Sequence, residues 1–141
     1  MRTDESAKKI SRMFSEVYFY CHPAFDIELS HQAVRALQYI QMTGSTNVQN
    51  IAYHLACAQN TASEIVRRLR QKGLVEKRRK PDDERVVEVV LTIAGQRAVR
   101  QHTGLDVERL TTLLEQVSDA ERDAIEHGIS LLLKVVRGEK T

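Results

Sequence analysis

The stretch LRQKGLVEKRRKPDDERVVEVVLTIAGQ, Leu69 to Gln96, changes character several times within a short span. Its first residues finish a helical pattern that stops at Gly73, and glycine is the natural residue just past a helix end. Leu74–Arg79 then reads as a short extended segment, Pro81-Asp82-Asp83-Glu84 as a turn, and Val86–Leu91 as a dense β-branched strand. Together they predict a two-stranded hairpin with a charged tip. From Thr92 a long helical pattern runs to about Gln116, with Gly104 as a point where it bends.

Upstream of this stretch the periodicity is helical. Residues 4–21 carry Ile10, Met13, Phe14, Val17, Tyr18 and Cys21 as one apolar stripe, and His22-Pro23-Ala24-Phe25-Asp26 interrupts it. A second helix starts at Ser30 as N-cap and stops before Gly44, with Ala33, Val34, Leu37 and Ile40 facing inward. A third, short helix follows Thr46-Asn47 and carries Val48, Ile51, Ala52 and Leu55. After a few residues (Cys57 to Gln59) a fourth opens with Thr61-Ala62-Ser63-Glu64, the pattern of a capping box. Downstream, Ser118-Asp119-Ala120-Glu121 is a second such box and opens the last helix, whose apolar face holds Ala124, Ile125, Gly128, Ile129, Leu132, Val135 and Val136. Helix, helix, short turn, helix, hairpin and further helices is the order of a winged helix-turn-helix. The expected fold is mainly α with a small β-hairpin wing and added helices at both ends. The terminal apolar stripes are wider than one small domain needs to cover itself. They imply either a homodimer or helices folding back on their own chain.

A chain of 141 residues allows one compact unit. With 42% apolar and 28% charged residues it reads as globular, and Ile129–Leu133 falls far short of a membrane span. The N-terminal MRTDESAKKI has no apolar run of a secretory signal, and two cysteines make no disulfide scaffold, so a reduced, cytoplasmic setting fits best. The net charge of +2 hides an uneven distribution: residues 45–100 carry +5 and residues 101–141 carry −3. Arg67, Arg68, Arg70, Lys72, Lys77, Arg78, Arg79 and Lys80 are grouped with a single acid, Glu76. Such a cluster suits a polyanion, although a solvated helix face has the same composition.

The fourth helix separates Ala62, Ile65, Val66 and Leu69 on one side from Asn60, Glu64, Arg67, Arg68 and Gln71 on the other. A face with Asn60, Thr61, Ser63, Glu64, Arg67 and Arg68 offers donors and acceptors to base edges in a major groove. The competing reading is ordinary solubilising side chains. The hairpin adds Arg78, Arg79, Lys80 and Arg85 near a tip bearing Asp82 and Asp83, and an Arg there can enter a minor groove. Acids repel phosphate, so Asp83 is expected to pair with an Arg of the same wing; simple turn propensity is the alternative.

The stretch from Leu69 to Gln96 resembles the MarR family of bacterial transcriptional regulators. The likeness rests on Leu69, Gly73-Leu74-Val75, a basic strand, Asp83-Glu84-Arg85, and Leu91-Thr92-Ile93-Ala94-Gly95, and extends more weakly over nearly the whole chain. The resemblance implies one MarR-like unit over 1–141, a DNA-binding region over 30–92 and dimerisation helices over 4–22 and 93–137. It implies a homodimer reading adjacent major grooves of a pseudo-palindromic operator in double-stranded DNA, most often as a repressor. The wing roles fall on Asp83, which orients an Arg, and Arg85, which enters the minor groove; recognition-helix contacts fall on Asn60–Arg68. Glu64 to Arg70 is unusually rich in Arg for the family, so base preference does not carry over. The resemblance also implies a small-molecule effector, often phenolic.

Tyr18, Tyr39 and His31 are candidates for an effector pocket, with plain core packing as the alternative. Cys21 lies beside His22, with Asp26, Glu28, His31 and His102 as further metal-ligand types, but no tight ligand spacing is present. Cys21 and Cys57 therefore read as packing residues and no metal or cofactor is expected; a redox- or metal-responsive regulator using Cys21 is the alternative. A winged-helix module for an acidic protein partner is another. No Gly-rich phosphate loop, Ser/His/Asp set or HExxH is visible, so an enzyme is not expected.

Overall fold

The computed structural model describes residues 2–139, and the chain divides after Leu105 into two compact units. The first holds α1 (Arg2–Cys21), α2 (His31–Thr43), α3 (Val48–Leu55), α4 (Gln59–Gln71), β1 (Val75–Lys80), β2 (Asp83–Leu91) and α5 (Ile93–Thr103). The second holds α6 (Val107–Leu114) and α7 (Asp119–Arg137).

Local chemistry sets most boundaries. The Ser30 hydroxyl accepts from the Ala33 N–H at the start of α2, and Gly44 ends that helix at φ +83°. Asn47 caps α3 in the same way through the Asn50 N–H. α3 closes on Ala56 in the left-handed region (φ 54°), and the Cys57 N–H reaches back to the Ala52 carbonyl at 3.0 Å. Only Ala56, Cys57 and Ala58 then separate α3 from α4. This tight connection starts α4 at Gln59, two residues before Thr61, behind an Ala58 that supplies no side-chain cap. The Thr61–Glu64 capping box expected from sequence is therefore absent, and the Glu64 carboxylate is engaged elsewhere.

The core of the first unit forms where these helices meet the hairpin base. Leu37 and Ile40 of α2, Ile51 of α3, Val66 and Leu69 of α4, Leu74, Val89 and Val99 are all essentially inaccessible to solvent. With Val75 of β1 they come from every element of this unit after α1, so helices and hairpin share one core. The strands pair antiparallel, with Val75 opposite Leu91 and Arg78 opposite Glu88, and the register shifts between Arg79 and Lys80. Only Pro81 and Asp82 lie between the strands, a shorter turn than the four residues read from the sequence. A short antiparallel bridge joins Thr46 to Val89, with N–H···O distances of 3.1 and 2.7 Å, and ties the α2–α3 loop to the root of the hairpin.

The helix expected from Thr92 to Gln116 is two helices. α5 ends at Thr103, Gly104 is extended, and the Asp106 carboxylate opens α6 by accepting from the Arg109 N–H at 3.1 Å. In the second unit the Ser118–Glu121 capping box is present in both directions at the start of α7. α6 and α7 contain no buried residue, and α7 leaves Ile125, Ile129, Leu133 and Val136 open to solvent. In the first unit α1 does the same with Ile10, Met13, Phe14 and Val17.

Candidate nucleic-acid interface

α4 is held by its apolar side, with Ala62, Val66 and Leu69 in the core. Asn60, Thr61, Ser63, Arg67 and Arg68 are consequently exposed, and Glu64 is half-exposed between them. Glu64 sits one turn before the two arginines and accepts from both. The Arg67 Nε–H reaches Oε2 at 2.9 Å, its Nη2 reaches Oε1, and the Arg68 Nε–H reaches Oε1 at 3.1 Å. These bonds, from Arg67 first and Arg68 second, hold the Glu64 carboxyl at about 2, against an ordinary value of 4.5.

The end of α4 and the start of the wing are locked by one hydroxyl. Gly73 takes φ +76°, and the Leu74 N–H closes onto the Leu69 carbonyl at 3.0 Å. Thr92 Oγ1 donates to the Gly73 carbonyl at 2.6 Å and accepts from the Gly95 N–H at 3.0 Å, so it caps α5 while gripping the α4 exit. Gly95 packs directly on the Leu74 carbonyl: a Cβ there would lie 1.9 Å from that oxygen. Leu-Thr-x-x-Gly is thus the joint between α4, wing and α5.

In the wing, Arg78 meets Glu88 across the strands, Nε to Oε1 at 2.9 Å, and Ser45 of the α2–α3 loop also hydrogen-bonds the Glu88 carboxylate. Arg78, then Ser45, hold that carboxyl below its ordinary range. Nearer the tip, Arg79 Nη1 donates to the Glu84 carbonyl at 2.7 Å. Asp83 Oδ1 accepts from the Arg85 backbone N–H and from its Nε, both at 3.1 Å, and these bonds lower its pKa. The Arg85 side chain is the most exposed of the paired cations, at 90%, and Asp83 holds one edge of its guanidinium, Nη2 reaching Oδ2 at 3.5 Å. Lys80 is exposed opposite Asp83.

Sequence reasoning missed Glu88, its partner Ser45, and the Thr46–Val89 bridge beside them. The available signal was a single acid inside Val86-Val87-Glu88-Val89-Val90, which a buried strand does not carry without a partner. The three effector-pocket candidates do not come together. Tyr39 stacks on His54, with centroids 4.4 Å apart, and lines a cavity of about 170 Å³ with Arg35, Gln38, Met42 and His54. Tyr18 instead donates to the His102 carbonyl at 3.3 Å and stacks on His22, and His31 is exposed at the start of α2. Cys21 is buried, Cys57 is half-buried against the core, and neither is in a disulfide. Among the described residues no three His, Cys, Asp or Glu side chains group as a metal site, and no helix is long and apolar enough to cross a membrane.

A helix-turn-helix formed by α3 and α4, followed at once by a two-stranded wing, defines the winged helix-turn-helix class. Residues 29–87, nearly all of this region, match the MarR family model. A curated relative, the HTH-type transcriptional repressor IacR of Pseudomonas putida, is 28% identical, the match covering 64% of this chain and 64% of the relative's length. Among solved structures, a MarR-like transcriptional regulator from Thermotoga maritima superposes with a TM-score of 0.65 at 21% identity, covering 97% of this chain and 98% of that one. S. aureus MepR bound to ethidium bromide gives 0.56 at 22% identity, covering 94% and 95%. A MepR mutant bound to an oligodeoxyribonucleotide gives 0.53 at 18%, covering 95% and 94%. Over residues 29–87 the chain is similar to the MarR family, and its winged fold is that of the MarR structures above.

Proposed function

We propose that this protein is a homodimeric, sequence-specific DNA-binding transcriptional regulator of the cytoplasm, acting as a repressor that a small molecule releases. The observation that carries the reading is the pairing of α4 with a wing locked to it through Thr92 and Gly95. Both elements expose cations, on α4 Arg67 and Arg68 and on the wing Arg79, Lys80 and Arg85. α4 fits a major groove about 12 Å wide, and Arg85 at the wing tip suits the negative potential of the adjoining minor groove. Asp83 acts on DNA indirectly, by aiming Arg85. The exposed apolar faces of α1 and α7 support dimerisation, and two-fold pairing would present two copies of the reading head to a pseudo-palindromic operator. Repression rests on the relationship to IacR, and release by a small molecule on the ethidium-bound relative.

The test is a titration of the full chain against duplexes selected from a random pool. A winning duplex should bind far more tightly than random DNA. The logarithm of its affinity should fall with the logarithm of salt by about 0.9 per phosphate contacted. A near-zero slope, or no winner, overturns the reading.

A further inference from the structure

The ion-paired trio on α4 carries information about which base the protein reads. Glu64 takes the Nε–H and one Nη2–H of Arg67, which together form the side edge of the guanidinium. A guanidinium has a second edge, at its far end, made of one N–H from each terminal nitrogen. That end edge is left unoccupied by Glu64, and the Arg67 side chain is 55% exposed. Two parallel donors at that spacing match O6 and N7 of guanine in the major groove, whereas adenine places a donor where O6 would be. Arg67 lies two turns after Asn60 on the exposed side of the helix.

Glu64 also narrows what Arg67 can do. Its charge persists at any pH where a duplex is intact, because the two arginines hold its carboxyl at about 2. A fixed anion beside the guanidinium disfavours a phosphate partner and leaves the neutral, acceptor-bearing edge of a base as the better match. Three of the carboxylate's acceptor sites are already used by Arg67 and Arg68, so Glu64 itself is poorly placed to read cytosine. We propose that Glu64 is a positioning residue that locks the Arg67 guanidinium so that its free end edge reads one guanine in each half-site. This rests on the DNA-binding reading above and adds to it a base and the residue pair that selects it.

The experiment uses the full chain, the duplex selected from a random pool, and fluorescence anisotropy. In the parent, replacing the critical guanine by adenine should weaken binding about 5–150-fold, and replacing it by 7-deazaguanine, which lacks the N7 acceptor, should weaken it by part of that. Arg67→Ala should lose a similar factor on the selected duplex and show no further loss on the adenine duplex. Glu64→Gln should cut the guanine-over-adenine discrimination several-fold while holding or raising affinity for random DNA, since a negative charge leaves the binding face. A merely structural role for Glu64 would not separate those two readouts, and circular dichroism checks that both variants keep their helix content. A pool with no winner overturns the functional reading and this proposal together. A winning duplex whose guanine discrimination survives in Arg67→Ala, or is unchanged in Glu64→Gln, overturns this proposal alone.

Discussion

The hairpin has two ends that obey different rules. At its root polar groups tie the hairpin to its neighbours: Thr46 to Val89, Ser45 and Arg78 to Glu88, Thr92 to Gly73 and Gly95. At its tip the partners are local, Arg79 with the Glu84 carbonyl and Arg85 with Asp83, and the side chains stand in water. The strands are continuous, yet the root belongs to the core and the tip to the solvent. Changes at the root should therefore act on folding, and changes at the tip on binding.

The largest effect that could break this division is at Gly95. Any side chain there collides with the Leu74 carbonyl, so Gly95→Ala should destabilise the protein by about 3 kcal/mol or more in urea melts, with DNA binding lost as a consequence. Next is Arg85→Ala, which should weaken binding across all duplexes and reduce the salt slope by about one. Its urea midpoint should match the parent's; a large drop would mean that the tip is part of the fold after all. Asp83→Ala should weaken binding less than Arg85→Ala and leave the salt slope nearly unchanged, because the cation stays but loses its aim. Equal binding by Asp83→Ala and the parent would remove that role.

The finest test is acid. Carboxyls held below their ordinary range contribute stability that is complete above that range and lost as pH falls through the lowered value. Melting temperature should thus begin to fall below about pH 4.5, with the contribution of Glu64 disappearing only near pH 2. Glu88→Gln should flatten this acid limb more than Asp83→Ala does, since Glu88 joins the wing to the α2–α3 loop and Asp83 joins only neighbours. The reverse order would put the structural joint at the tip.

Much of this was legible from residues alone, where the cause is local. Ser30, Asn47 and Ser118 cap helices because their oxygens meet backbone N–H groups three residues on, and Gly44 and Gly73 stop helices by taking positive φ. The Asp83–Arg85 pair was equally readable, being two residues apart in sequence. What failed depends on distant partners. Thr61-x-x-Glu64 has the spacing of a capping box, but the brief turn after α3 fixes the start of α4 earlier and two downstream arginines claim the carboxylate. Periodicity carried one helix through Gly104, whereas the extended glycine and the Asp106 cap make two. Glu88 could not be placed because its partner Ser45 lies on another loop, and the effector candidates scatter because aromatics in a sequence carry no address in space.

The Thr46–Val89 bridge has a mechanical corollary. A β-finger clasped at its base by the loop between two core helices has no hinge of its own. Beside that clasp, the Thr92 hydroxyl ties the base of the finger to the end of the helical rod before it. On the DNA-binding reading proposed above, a signal that weakened the grip on a duplex would move finger and rod together rather than bend the finger at its base.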